Sequence, residues 1–262
     1  MTRIDKVMAD RKAAGKKAIF IYITAGAPDV RTTIEAVKRA EAAGADVIEL
    51  GLPFSDPMAD GPVIQTASVV ALKNGMTLAK ELDLVREIRK FSDIPLIGMG
   101  YINNMYHYGF EKFVEDFKAA GMDGVIIPDV PHEESGDLRR IAAAHDFVLA
   151  EFITPGTTAV RMEEICQDAS GFIYCVSNNG VTGVKKVDYS TIGAVCDTAR
   201  SYTRTPLAVG FGIGSPEAAV AAAAHADAVI VGSAVVKELL AGKLDEAAQL
   251  IADIREALDK SY

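Results

Sequence analysis

One phrase recurs four times along the chain and restricts its fold more than any other feature. It reads A-A-G-A-D-V-I-E from Ala42 to Glu49, A-A-G-M-D-G-V-I-I-P from Ala119 to Pro128, A-A-H-D-F-V-L-A from Ala143 to Ala150, and A-H-A-D-A-V-I-V from Ala224 to Val231. Each copy joins the Ala-rich end of a helix, through a break, to a short β-branched strand. Gly44 and Gly121 stand where a helix end takes a left-handed residue. A repeated helix-break-strand unit means βα alternation, and hence a parallel sheet.

The apolar runs predict eight strands, over Ala18–Ala25, Val47–Leu50, Pro95–Tyr101, Gly124–Pro128, Phe147–Ile153, Gly171–Val176, Pro206–Gly210 and Ala228–Val231. Amphipathic stretches between them predict helices over Val30–Ala43, Phe110–Ala120, Glu133–Ala144, Ser190–Ser201 and Pro216–His225. Ile4–Ala14 predicts a helix before the first strand, and Val63–Asn74, ahead of Leu78–Phe91, an extra helix after the second. Ser215-Pro216 is a helix start, with a capping Ser and Pro at the first helical position. With no composition break or linker, the 262 residues are expected to form one domain, a single (β/α)8 TIM barrel over residues 1–262. An open doubly wound sheet is the alternative, but no G-x-G-x-x-G follows the first strand. Few aromatics and many small and β-branched residues suit strands covered by helices on both sides.

The net charge of −9 argues against nucleic acid or anionic membrane as the partner. It leaves room for an anionic substrate held by backbone amides at a helix N-terminus. No apolar leader and no apolar run of membrane-spanning length occurs, so a cytoplasmic protein is expected. Cys166, Cys175 and Cys196 lack C-x-x-C spacing and are expected to be reduced and incidental.

In a barrel of this kind, function gathers at the C-terminal ends of the strands and in the loops that follow. Glu49 interrupts the apolar run Val47-Ile48 at such an end. Even a neutral polar group costs about 2–7 kcal/mol to bury without a partner. The residue is therefore either half of an ion pair with a Lys or Arg, or a carboxyl kept for proton transfer, its pKa raised by desolvation. Asp56 and Asp60 share the Pro/Gly-rich loop that follows. Each is a turn-former or a working carboxylate, and Asp60 gains weight from its place just before Gly61-Pro62, where the chain re-enters the scaffold. Tyr22, near the top of the first strand, either packs the interior or lines a pocket.

Two Gly-rich turns, G-F-G-I-G-S-P (Gly210–Pro216) and V-G-S-A (Val231–Ala234), follow strands seven and eight, where barrels commonly bind phosphate. The second is expected to open the last helix. The polar loop Ser177–Lys186, with Gly180, Thr182 and Gly183, is expected to supply a third wall and a lid. His107, His132, His145 and His225 are scattered, so no metal site is expected, and no strand-interior Lys offers a Schiff base.

Together, I-E-L-G-L-P-F-S-D-P-M-A-D-G-P (Ile48–Pro62), Y-C-V-S-N-N-G-V-T-G (Tyr174–Gly183), G-F-G-I-G-S-P-E (Gly210–Glu217) and V-G-S-A resemble the tryptophan synthase α subunit family, along essentially the whole chain. D-V-P-H-E-E-S (Asp129–Ser135) and Y-I-N-N (Tyr101–Asn104) resemble further family segments. The resemblance implies retro-aldol cleavage of indole-3-glycerol phosphate to indole and glyceraldehyde 3-phosphate. It implies Glu49 as acid/base, Asp60 on the indole N–H, and Tyr174 beside them. Tyr22, Tyr101, Thr182 and Phe211 would bind substrate, and Gly183, Gly212, Gly232 and Ser233 would hold its phosphate. No cofactor is implied. The implied partner is a β subunit that receives the indole in an αββα heterotetramer, with Asp56, Pro57 and Pro131–Ser135 facing it. Asn178 and Gly214 depart from residues common in the family, which bears on the closure of the strand-six loop and on one turn. A sugar-phosphate isomerase, a free-standing indole lyase and a non-catalytic activator of the β chain are the competing readings. Intact Glu49 and Asp60 disfavour the first and third.

Overall fold

The computed structural model describes residues 1–176 and 189–262. Strands β1 (Ala18–Thr24), β2 (Val47–Gly51), β3 (Leu96–Met99), β4 (Gly124–Ile126), β5 (Val148–Ile153), β6 (Ile173–Val176), β7 (Leu207–Gly210) and β8 (Ala228–Val231) pair in chain order. All pairs are parallel, and β8 closes on β1 through the register Ala18↔Ala228 to Ile21↔Val231. The fold is a closed (β/α)8 barrel, as the repeated phrase implies. Every residue of β1 to β4, β7 and β8 is buried, which is why these strands read as unbroken apolar runs instead of alternating ones. Inside the barrel, Phe20 meets Phe172 edge-to-face with ring centroids 4.9 Å apart.

Helix α1 (Arg3–Ala13) precedes β1 and α2 (Val30–Ala42) follows it. Helices α3 (Pro62–Lys73) and α4 (Leu78–Arg89) both follow β2, so the expected N-terminal and strand-two extra helices are present. Helices α5 (Ile102–Tyr108) and α6 (Phe110–Ala120) follow β3, α7 (Gly136–Ala144) follows β4, and α8 (Ala159–Asp168) follows β5. Helix α9 (Tyr189–Arg200) leads into β7, α10 (Pro216–Ala223) follows it, and α11 (Ser233–Leu240) and α12 (Leu244–Ser261) complete the chain.

Three expectations need correction. Strand β3 stops at Met99, and Tyr101 instead caps the short helix α5, whose polar-aromatic I-N-N-M-Y-H-Y carries no apolar period to announce it. The expected helix from Glu133 is a 3-10 turn, His132–Glu134, and then α7. The helix opened by V-G-S-A is not the last, because α11 ends at Leu240 and Gly242, with a φ of 74°, turns the chain into α12.

Three of the four copies of the recurrent phrase also share a structural role at the N-terminal rim. Their aspartates Asp46, Asp123 and Asp227 accept the backbone N–H of Ile19 (2.8 Å), Leu96 (2.9 Å) and Leu207 (2.7 Å), at the start of the neighbouring odd-numbered strand. Each also holds arginine. Asp46 pairs with Arg11 and Arg255, Asp123 with Arg3 and Arg89, and Asp227 with Arg200. Gly44 and Gly121 have φ of 98° and 109°, the left-handed helix end the sequence implies. They have a second role as well. A Cβ at Gly44 would lie 2.7 Å from Arg255 Cγ, and one at Gly121 2.7 Å from Arg89 Cγ. Each glycine therefore clears the stem of the arginine that its aspartate, two residues on, pairs with.

Candidate active site

At the C-terminal rim Glu49 sits on β2, opposite Tyr22 of β1 and Ile97 of β3. It is 1% exposed, and its Oε2 has no hydrogen-bond partner. Among the described residues no Lys or Arg pairs with it, as the ion-pair reading would require. Desolvation is the main force pushing its pKa up, to about 8, and the charge of Asp60 adds to it.

Asp60 ends the loop after β2 and is buried as well. It is not a turn-former. Its Oδ2 accepts from the Tyr101 hydroxyl at 3.0 Å, and its carbonyl accepts from Gln65 Nε2 at 2.9 Å. Desolvation raises its pKa to about 6, against the lowering effect of the Tyr101 bond. Asp60 therefore ionises first, and its charge helps to hold the proton on Glu49. Near neutral pH the site contains one carboxylic acid and one carboxylate, separated by environment into two roles. Asp56, in contrast, is exposed and accepts from the Ser55 hydroxyl.

Three tyrosines surround the pair. Tyr22 and Tyr174 are fully enclosed, and burial together with the charges of Asp60 and Glu49 raises both phenols well above their ordinary value. Both are therefore neutral apolar walls. Tyr174 packs against Phe152 at 5.1 Å and against Phe211 at 6.1 Å, where the rings meet nearly at right angles. Phe211 has a φ of 73°, an uncommon backbone conformation for a bulky residue, of the kind that gathers at working sites. Tyr101 stacks on Phe54 at 5.2 Å. Two glycines admit these rings. A Cβ at Gly51 would fall 2.1 Å from Tyr22 Oη, and one at Gly210 2.4 Å from Tyr174 Oη. No local signal in the sequence marks either glycine, because the rings they admit come from other strands.

The two Gly-rich turns meet. A Cβ at Gly214 would be in van der Waals contact with Ala234, at 3.4 Å, so the loop after β7 lies against the start of α11. Gly212 has a φ of 77°, Gly232 is the N-cap of α11 without a side-chain cap, and Ser233 is its first residue. Ser215 accepts from Ala218 N–H at the start of α10. Two helix N-termini thus face the same rim. Gly232 also adjoins Tyr22, whose Cβ would lie 3.5 Å from an added Cβ there. The two Gly-rich turns and the carboxyl pair therefore share one mouth. Thr182 and Gly183, with Asn178 and Gly180, lie outside the described residues.

A family model described as tryptophan synthase alpha chain matches residues 8–261. The tryptophan synthase alpha chain of Caldanaerobacter subterraneus subsp. tengcongensis is 42% identical, over 98% of this chain and 100% of its own. That of Thermoanaerobacter sp. is 41% identical over the same shares. Among solved structures, tryptophan synthase subunit alpha from Legionella pneumophila superposes with a TM-score of 0.92 at 37% identity, covering 99% of both chains. Mycobacterium tuberculosis tryptophan synthase gives 0.91 at 29% identity over 98% of both.

Proposed function

The chain belongs to the tryptophan synthase alpha chain family, and on that premise we propose how its own residues carry out the family's reaction. The protein is a carbon–carbon lyase that cleaves indole-3-glycerol phosphate to indole and glyceraldehyde 3-phosphate in tryptophan biosynthesis. The observation that carries the assignment of roles is the divided carboxyl pair, Glu49 with its pKa at about 8 and Asp60 at about 6 in one pocket.

Glu49 enters the reaction as the acid. It gives its proton to C3 of the indole, which leaves the ring nitrogen positively charged. Asp60, already a carboxylate, faces that N–H and stabilises the charge electrostatically. Glu49 is now a carboxylate and takes the proton of the hydroxyl on the side-chain carbon bonded to C3. As the carbonyl forms, the C–C bond breaks and its electrons return to the ring. Indole and the aldehyde leave, and Glu49 is protonated again, so no net proton is consumed. A group with a pKa near the working pH is suited to both transfers.

Tyr22, Tyr101, Tyr174 and Phe211 form the apolar pocket for the indole. Gly212, Gly232 and Ser233 hold the phosphate with backbone amides, which is how a chain of net charge −9 binds an anion. Thr182 and Gly183 complete the substrate and phosphate contacts. Residues 1–262 act as one domain, supported by a continuous apolar core that runs from Ile4 to Leu258. The protein works in the cytoplasm. Its cysteines are unpaired, and among the described residues no helix is long and apolar enough to cross a membrane.

The family implies a β-subunit partner, and we place it on the catalytic rim in an αββα assembly. Met58, Tyr106 and Val160 are 85%, 79% and 70% exposed in the loops and helices that follow β2, β3 and β5. Asp56, Pro57 and Pro131–Ser135 belong to the same rim. The test is to follow indole release from indole-3-glycerol phosphate with and without a β subunit. Release that rises strongly with β supports the subunit, high release without β supports a free-standing lyase, and none under either condition overturns both.

A further inference from the structure

The loop from β2 to α3 carries one catalytic carboxylate, and a single side chain from the turn after β3 holds it at three points. Tyr101 follows β3 and is the N-cap of α5. Its hydroxyl donates to Asp60 Oδ2 at 3.0 Å and accepts the N–H of Ala59 at 2.9 Å. Its ring stacks on Phe54 at 5.2 Å, with the planes 25° apart. The hydroxyl thus satisfies one backbone donor and one carboxylate oxygen, while the ring anchors the start of the loop. Tyr101 is itself fixed from behind. The next residue, Ile102, gives its N–H to Asp129 Oδ1 at 3.0 Å, which binds the turn after β3 to the loop after β4.

We propose that Tyr101 is a positioning residue, whose hydroxyl fixes the Asp60 carboxylate in its ionised form beside Glu49 and ties residues 54–60 to the end of β3. This deepens the lyase reading and rests on it for the catalytic consequence. The charged and titratable groups around the contact are few. In the barrel interior the charge of Asp60 acts on Glu49, Tyr22 and Tyr174, and Asp129 acts on Tyr101 from the loop after β4. Among the described residues no Lys or Arg pairs with Asp60. The Tyr101 bond therefore supplies the stabilisation of the carboxylate that a cation would otherwise give. It opposes the desolvation that would otherwise leave Asp60 protonated and unable to face a developing positive charge.

Tyr101→Phe keeps the ring and removes only the hydroxyl. The acid limb of kcat/KM should then move up by about one pH unit, a tenfold change in proton affinity. The loss should be about fivefold at pH 6 and fade to almost nothing by pH 8. Phe54→Leu removes the stack and keeps both hydrogen bonds, so its acid limb should stay at the wild-type position. A readout free of turnover runs alongside, the 13Cγ titration of Asp60 in aspartate-labelled protein, with Asp60→Asn assigning the resonance. That midpoint should rise in Tyr101→Phe by the same interval. A uniform loss across the pH range, an unmoved Asp60 midpoint, or a limb shifted as far by Phe54→Leu would each overturn the proposal. Wild-type protein that releases no indole at any pH would instead overturn the lyase reading, and the NMR titration would still decide the role of Tyr101.

Discussion

Replacing Glu49 by Gln should remove activity and, above neutral pH, make the protein more stable. The carboxyl is buried with one oxygen unpartnered, and its pKa rises from 4.5 to about 8 on folding. The sign follows from the direction. A folded pKa above the unfolded one means that the native state binds the proton more tightly. The contribution to stability is thus fully present below 4.5 and is lost as the pH rises through 8. The whole interval corresponds to roughly 5 kcal/mol, of which roughly 3 kcal/mol has gone by pH 7. Gln keeps the shape and does not titrate, but its buried amide costs about 1–3 kcal/mol if left unpaired. The expectation is therefore a trend more than a single value. Stability of Glu49→Gln relative to wild type should rise by about 2–4 kcal/mol between pH 5 and pH 9 and level off above that. The assay is guanidinium unfolding at five pH values, followed by far-UV circular dichroism and by tyrosine emission, which is unobscured because the chain has no Trp. Over the same range kcat should be lower by about 10²–10⁴-fold. A stability difference that does not change with pH would refute the reasoning, even if activity were lost, because it would mean that Glu49 is already ionised in the native state.

Three other perturbations probe separate parts of the structure. Gly51→Ala places a methyl group 2.1 Å from Tyr22 Oη and must displace that ring. A loss in kcat/KM of about tenfold or more is expected, since misplacement of this size is costly in catalysis, and unchanged kinetics would show that the ring is not a pocket wall. Asp123→Asn leaves Arg89, 11% exposed in its side chain, short of its ion partner. It should destabilise the fold by about 3 kcal/mol in chemical unfolding, and less than about 1 kcal/mol would contradict the rim arrangement. Ser233→Asp puts a negative charge at the N-terminus of α11, so KM for the phosphorylated substrate should rise at least about tenfold while kcat changes less. An unchanged KM would place the phosphate elsewhere.

Much of the molecule is legible in the chain because it depends on neighbours in sequence. The left-handed glycines at 44 and 121, the Ser215-Pro216 helix start and the β-branched strands are set by local backbone preference, and the structure agrees with each. Glu49 stands out for the same reason, as a charge inside an apolar run. Helix α5 and the break at Ser135 escape such reasoning because neither stretch has an apolar period strong enough to mark it.

What the chain alone determines is the alternation of helix and strand, the number of strands, and the presence of a carboxyl at a strand end. The tertiary structure decides the chemistry of that carboxyl. Asp60 becomes its ionised companion only because Tyr101, 41 residues further on, reaches it with a hydroxyl. Gly51 and Gly210 matter only because rings from β1 and β6 cross over them. Three of the four aspartates of the repeated phrase, plain in sequence, become rim anchors only when strand starts and arginine stems from distant elements meet at them. The physical reason is common to all three. Desolvation, close packing and hydrogen bonding act through space at a few ångströms, and in a closed barrel the groups that meet at that range are brought together by the strand register and not by their order in the chain.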